Sequence, residues 1–216
     1  MKRIITFVSF TILVLLSNDV SGHEIVGEVT PLMIRMERML KLIDNGLGNE
    51  AMDLAKKTYN DFHDQVRGKE EQGLQQGSLR IDHRFGTDVE SMIHIALNQK
   101  DPYELQQGLR LLSFLLMLEK FDVLEDTFGN ANSQISAQKT IFWLGRNYFS
   151  YLLEPVLAKE DPIEEKRLDR LLDKMLYRIE DSKWDEFKLF RQELTSDISE
   201  YFEMSQYIKL NKLIDN

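Results

Sequence analysis

Apolar positions recur every three or four residues along most of the chain, and long runs of strict alternation are missing. That period belongs to amphipathic helices and not to half-buried strands. The breaks carry helix-start chemistry. Thr30-Pro31, Asp101-Pro102 and Asp161-Pro162 each place a capping side chain before a first-turn proline. Glu104 and Glu164 stand where a capping box has its acid. Ser182, with Asp185 three residues on, is a further start, while Asn45-Gly46, Gly68 and Gly129-Asn130 read as stops.

The pattern predicts helices over residues 31–45, 49–67, 77–99, 102–127, 134–158, 162–181 and 183–213. The fold class is therefore all-α, an antiparallel helical bundle of about seven helices joined by short connections. Pro155 should kink or end the fifth helix. "RGKEEQGLQQG" (residues 67–77) is the most loop-like interior stretch. Sub-bundles over residues 30–99 and 102–216 are one way to divide the chain.

The first segment has a different pattern. Lys2 and Arg3 precede a mostly apolar run from Ile4 to Leu16, followed by small and polar residues. That order is a secretory signal peptide, and the run is short against the roughly 20 residues of a membrane span. Cleavage after Gly22 is expected, leaving residues 23–216 as a secreted or periplasmic helical domain. "LRLLSFLLML" (residues 109–118) is also too short to span and reads as a buried core helix. After cleavage the chain is not expected to be an integral membrane protein.

Charge and cysteine content narrow the chemistry. Losing two bases and one acid with residues 1–22 takes the formal net charge from −9 to −10. A nucleic-acid partner needs a basic face and is not expected. With no cysteine in the chain, thiolate metal sites and cysteine-held clusters are excluded, and the fold must rest on its core.

The candidate chemistry centres on "RIDHRFGTDVESMIH" (residues 80–94), which holds two of the four histidines. At about 100° per residue, His83, Glu90 and His94 fall within about 20° of one line. Glu90 and His94, four residues apart, are surface neighbours and a possible N,O pair for a divalent cation. His83 lies ~16 Å along the axis from His94 and cannot share a single ion with it. The competing reading is a solvated or capping surface. If Gly86 breaks the helix, Thr87 becomes an N-cap, Glu90 its capping-box acid, and His83 leaves the stripe. His63, on the edge of the helix over 49–67, is a second candidate ligand or an interfacial histidine.

Weaker signals have ordinary explanations. Met33, Met36 and Met39 recur at helical spacing; thioethers ligate copper, but such stripes are usually core. His23, as a new N-terminus, would offer two nitrogens to copper. Phe142, Trp143, Tyr148, Phe149 and Tyr151 read as helix–helix contacts. "GLGNEA" (residues 46–51) spells a dinucleotide fingerprint, but a helix precedes it where the fingerprint needs a strand. No hydrolase, nucleoside-triphosphatase or dehydrogenase motif stands in context, so the chain is not expected to be an enzyme.

"AKKTYNDFHDQV" followed by "LRIDHRFGTDVESMI" resembles the soluble helical region that precedes the membrane part of many bacterial high-affinity iron permeases. The family pattern runs Ala, Tyr, Phe-Glu and, about twenty residues on, Glu-x-x-Phe. Ala55, Tyr59, Phe62, Asp82 and Phe85 match it in type and order. His63 stands in place of the first Glu and Asp82 in place of the second. The resemblance covers residues 30–98; the family's Arg-Glu-x-x-Glu motifs and membrane helices are absent. It implies a stand-alone extracytoplasmic relative or partner of a membrane metal transporter.

Three functions follow as expectations. The first is binding of a transition-metal cation, iron or copper, by some subset of His63, Asp82, His83, Glu90 and His94, linked to metal uptake. The second is a non-enzymatic interaction scaffold or sensor-like module. The third is a b-type haem carrier with histidines on facing helices as axial ligands.

Overall fold

The fold was described from a computed structural model, which covers residues 29–128 and 134–208. The expected signal segment, its cleavage site and His23 lie outside the described residues.

The architecture is predominantly all-α, a helical bundle with one small hairpin. In chain order it comprises α1 (Pro31–Asp44), α2 (Gly48–Tyr59), β1 (Phe62–Asp64), β2 (Lys69–Glu71), α3 (Leu74–Phe85) and α4 (Val89–Gln99). There follow α5 (Pro102–Thr127), α6 (Ile135–Leu152), α7 (Glu154–Glu160), α8 (Pro162–Glu180) and α9 (Trp184–Tyr201). A 3₁₀ turn at Met204–Gln206 completes the described chain. Among the described residues there are thus nine helices where the apolar pattern gave about seven. None is long and apolar enough to cross a membrane.

The three predicted starts before a proline form by the expected chemistry, whereas Ser182 does not cap α9: it turns left-handed at φ +55°, and the helix begins at Trp184 after Lys183, without a side-chain cap. Thr30 Oγ1 accepts from the Met33 amide at 3.1 Å, ahead of Pro31. Asp101 Oδ1 accepts from the Tyr103 and Glu104 amides, and Asp161 Oδ1 from those of Ile163 and Glu164. "GLGNEA" is a helix–helix turn: Gly46 takes φ +75° and α2 begins at Gly48.

Four predicted helices end or divide differently, and the one over 77–99 is two, α3 and α4, parted at Gly86. The helix over 134–158 is two helices meeting at Leu153, with Pro155 in the first turn of α7. That proline position tolerates the missing amide hydrogen. The last helix stops at Tyr201, where Glu203 turns left-handed at φ +52°. The helix over 49–67 stops at Tyr59 and gives way to the hairpin.

The hairpin follows from Asp61 and Asp64. Asp61 accepts from the Gly73 amide at 3.0 Å and the Gln76 amide group at 2.6 Å. Asp64 accepts from the Val66 amide, turning the chain, and Gly68 closes the turn at φ +64°. A Cβ on Gly73 would lie 2.2 Å from the Asn60 carbonyl oxygen, so this close crossing requires glycine. Arg35 covers the hairpin base, its guanidinium 3.7 Å from the Phe62 ring centre and bonded to Thr58 Oγ1 at 3.1 Å.

The axis of the molecule is α5. Every residue from Leu111 to Glu119 is buried, so this helix is enclosed on all sides, as its apolar run suggested. It packs against α4 and α6, with α1, α3, α2 and α9 around it. Two glycines set the closest approaches. A Cβ on Gly108 would lie 2.9 Å from Ile93, and one on Gly145 would lie 2.6 Å from the Phe121 ring. Buried side chains form one connected cluster from Met33 to Ile208. Met33, Met36 and Met39 are all within it. At about 25 cal/mol per Å² of apolar surface, this burial is the main stabilising term.

The outer pair α8 and α9 is fastened by buried arginines. Arg191 of α9 bonds Glu125 at 2.6 Å and also Asp122, both on α5. Arg146 of α6 bonds Asp173 at 2.8 Å and also Asp169, both on α8.

Candidate functional site

The joint between α3 and α4 decides the fate of the histidine stripe. Gly86 adopts φ +67° and ends α3, its amide bonding the Asp82 carbonyl at 2.8 Å. The stripe is therefore broken, and His83 stays on α3 as an exposed residue. Capping of α4 differs from either sequence expectation. Asp82 reaches forward from α3: Oδ1 accepts from the Val89 amide and the Thr87 hydroxyl, each at 2.7 Å, and Oδ2 from the Glu90 amide at 2.9 Å. So Thr87 donates instead of capping. Asp82, a candidate ligand by sequence, satisfies the open amides of the next helix.

This capping leaves the Glu90 side chain free of the backbone. It meets Tyr59, at the last turn of α2, whose hydroxyl donates to Glu90 Oε1. The same phenol oxygen lies 2.9 Å from His94 Nδ1, with the two rings 5.7 Å apart. A phenol has one proton, and here it goes to Glu90. His94 then donates Nδ1–H to the phenol oxygen, leaving Nε2 as its lone-pair nitrogen. Burial pushes the Tyr59 phenol up to about 12, reinforced by the hydrogen bond to Glu90 and its negative charge; a bond from Gln75 opposes this. Tyr59 is half-buried, Glu90 half-buried and His94 exposed, so the group is open to solvent.

His63 is placed differently from the sequence expectation. It lies on β1, not on a helix, directly across from Glu70 on β2, with Nδ1 and Oε1 3.2 Å apart. The expected place of His63 on the edge of a helix is therefore corrected to a strand of the hairpin. Of the five candidates, the interactions bring together Glu90 and His94, with Tyr59 between them. Asp82 holds the backbone beneath Glu90, and His63 is bonded elsewhere. Among the described residues no group of three or more His, Asp or Glu side chains gathers in a metal-binding arrangement.

Compared with protein-family models, curated proteins and solved structures, the chain matches none.

Tyr59 was missed as a site residue. The pattern marked it only within the iron-permease resemblance, since a tyrosine at a helix end is ordinarily an edge contact. What reveals it is the hairpin: by ending α2 at Tyr59, the chain turns that ring towards α4. The resulting set is one phenol oxygen, one carboxylate and one imidazole. These are hard and borderline donors suited to iron or copper ions.

Proposed function

We propose that this chain is a secreted or periplasmic helical protein that binds a transition-metal cation, iron or copper, for a membrane metal-uptake system. It acts by binding and not by catalysis. The carrying observation is that the Tyr59 oxygen sits within hydrogen-bonding distance of both Glu90 Oε1 and His94 Nδ1. The resemblance of residues 30–98 to the soluble region of iron permeases supports the same reading and the choice of partner. Within the group, a cation takes the place of protons. The phenol proton is released, the His94 proton moves from Nδ1 to Nε2, and phenolate, carboxylate and Nδ1 become ligands. Because one proton leaves per ion, affinity falls as the medium becomes acidic.

The test is titration of the chain lacking residues 1–22 with Fe(III) and Cu(II). One equivalent should bind and produce a phenolate-to-metal charge-transfer band. Tyr59→Phe should abolish the band, and His94→Ala should weaken binding by roughly tenfold or more. His83→Ala should leave it unchanged. Equal weak binding by wild type, His94→Ala and His83→Ala would overturn the proposal.

A further inference from the structure

A second site stands apart from the Tyr59 group, where the start of α5 meets the end of α7 and the end of α9. A cleft of about 190 Å³ opens there, lined by Tyr103, Arg110, Glu160, Tyr201, Glu203 and Tyr207.

Arg110 is the unusual member. Its side chain is only 14% exposed, and its Nε is buried without a hydrogen-bond partner. The nearest carboxylate oxygen, Asp44 Oδ1, is 4.0 Å away and already accepts from Gln106 at 2.6 Å. A guanidinium has five fixed donors, and a buried one left unsatisfied is costly. The other charged members are acidic: Glu160, which accepts from the Tyr201 hydroxyl at 3.4 Å, and Glu203; Gln107 and Gln206 add neutral polar groups. Glu203 holds a left-handed φ of +52°, a strained conformation for a residue with a side chain. Burial lowers the Arg110 guanidinium from its ordinary value, while Asp44, Glu160, Tyr103 and Tyr201 oppose the shift. Tyr103 stands 64% exposed and Tyr207 37%, so aromatic faces are presented and not packed away.

A simple anion would meet Arg110 but be repelled by two glutamates. A simple cation would suit the glutamates and ring faces but face the guanidinium. We infer that this cleft binds a small zwitterion of the α-amino-acid class, its carboxylate on Arg110 and its ammonium on Glu160 and Glu203. The apolar part of the ligand lies against Tyr103 and Tyr207. The carboxylate supplies the planar acceptor that the guanidinium lacks.

Calorimetry and NMR on the full chain test this with L-phenylalanine, L-leucine and L-glutamine. Phenethylamine and 3-phenylpropanoate serve as probes carrying one charge each. At least one amino acid should bind with one equivalent and shift the Tyr103 and Tyr207 resonances. Each half-probe should bind roughly tenfold or more weakly, the ratio expected from one lost charge-assisted bond. Arg110→Gln and Glu160→Gln should each weaken binding by a similar factor, and Tyr59→Phe should leave it unchanged. If Arg110→Gln fails to fold, Glu160→Gln and Tyr207→Ala carry the same test. The proposal is overturned if no amino acid of the three binds at millimolar concentration. It is equally overturned if a half-probe binds as well as its parent, or if the folded variants bind as wild type does.

Discussion

The α5–α6 pair and the α3–α4 joint are built on opposite principles. Along α5, shape decides the packing. Phe121 is fully buried, stacked on Phe142 at 5.7 Å and edge-on to Phe187 at 6.4 Å, and Gly145 leaves the space its ring occupies. At the α3–α4 joint, hydrogen bonds decide it. One carboxylate, Asp82, takes three donors and sets where α4 begins. A site made of polar side chains needs the second kind of structure, because packing alone does not orient a carboxylate or an imidazole. That is why Glu90 and His94 are displayed beside the joint and not on the buried axis.

Mutations on the two sides should separate these principles. The largest loss is expected for Phe121→Ala, about 4 kcal/mol from the transfer and cavity terms together. Gly145→Ala should cost about 2 kcal/mol, since its Cβ would press on a ring that has no free side to move into. The two should be strongly non-additive in urea unfolding, because they act on the same contact. Asp82→Ala should cost about 2 kcal/mol by loss of the cap and its charge-assisted bonds. This loss should be the same with and without metal. A stability loss that grows on adding Fe(III), because the metal then stabilises the wild type more than the variant, would make Asp82 a ligand after all.

How far the sequence disclosed each region follows from the same contrast. Leu111–Glu119 was legible because burial on every side leaves a continuous apolar run, and the proline caps were legible because their chemistry is local. The hairpin was not. Asp61 bonds a residue twelve positions away, a tertiary contact that no period encodes. With α2 extended through residue 67, His63 was assigned to a helix edge and Tyr59 was passed over. Gly86 did signal a break, but the acceptor that caps α4 lies in the preceding helix, where a local capping rule does not look. Arg110 escaped notice for a related reason: its lack of a close partner depends on Asp44 of α1 being engaged by Gln106 of α5, two elements brought together only by folding.

The finest test concerns the phenol between Glu90 and His94. In the folded chain Tyr59 titrates near 12, against about 10 in an unfolded chain. A folded value above the unfolded one means its contribution to stability is complete below about pH 10. It is lost as the pH rises towards 12, because the unfolded chain ionises first. Replacing Glu90 by Gln removes the negative charge and the anionic acceptor while keeping an oxygen to accept the hydroxyl. The Tyr59 phenol should then move back towards its ordinary value. The readout is tyrosinate absorbance during alkaline titration, with Tyr59→Phe subtracted to isolate one ring. If burial alone held the phenol up, Glu90→Gln would leave the midpoint near 12. Then Tyr59 would be packed like the α5 core, not poised by its polar neighbours, and the joint would have no special claim to a site.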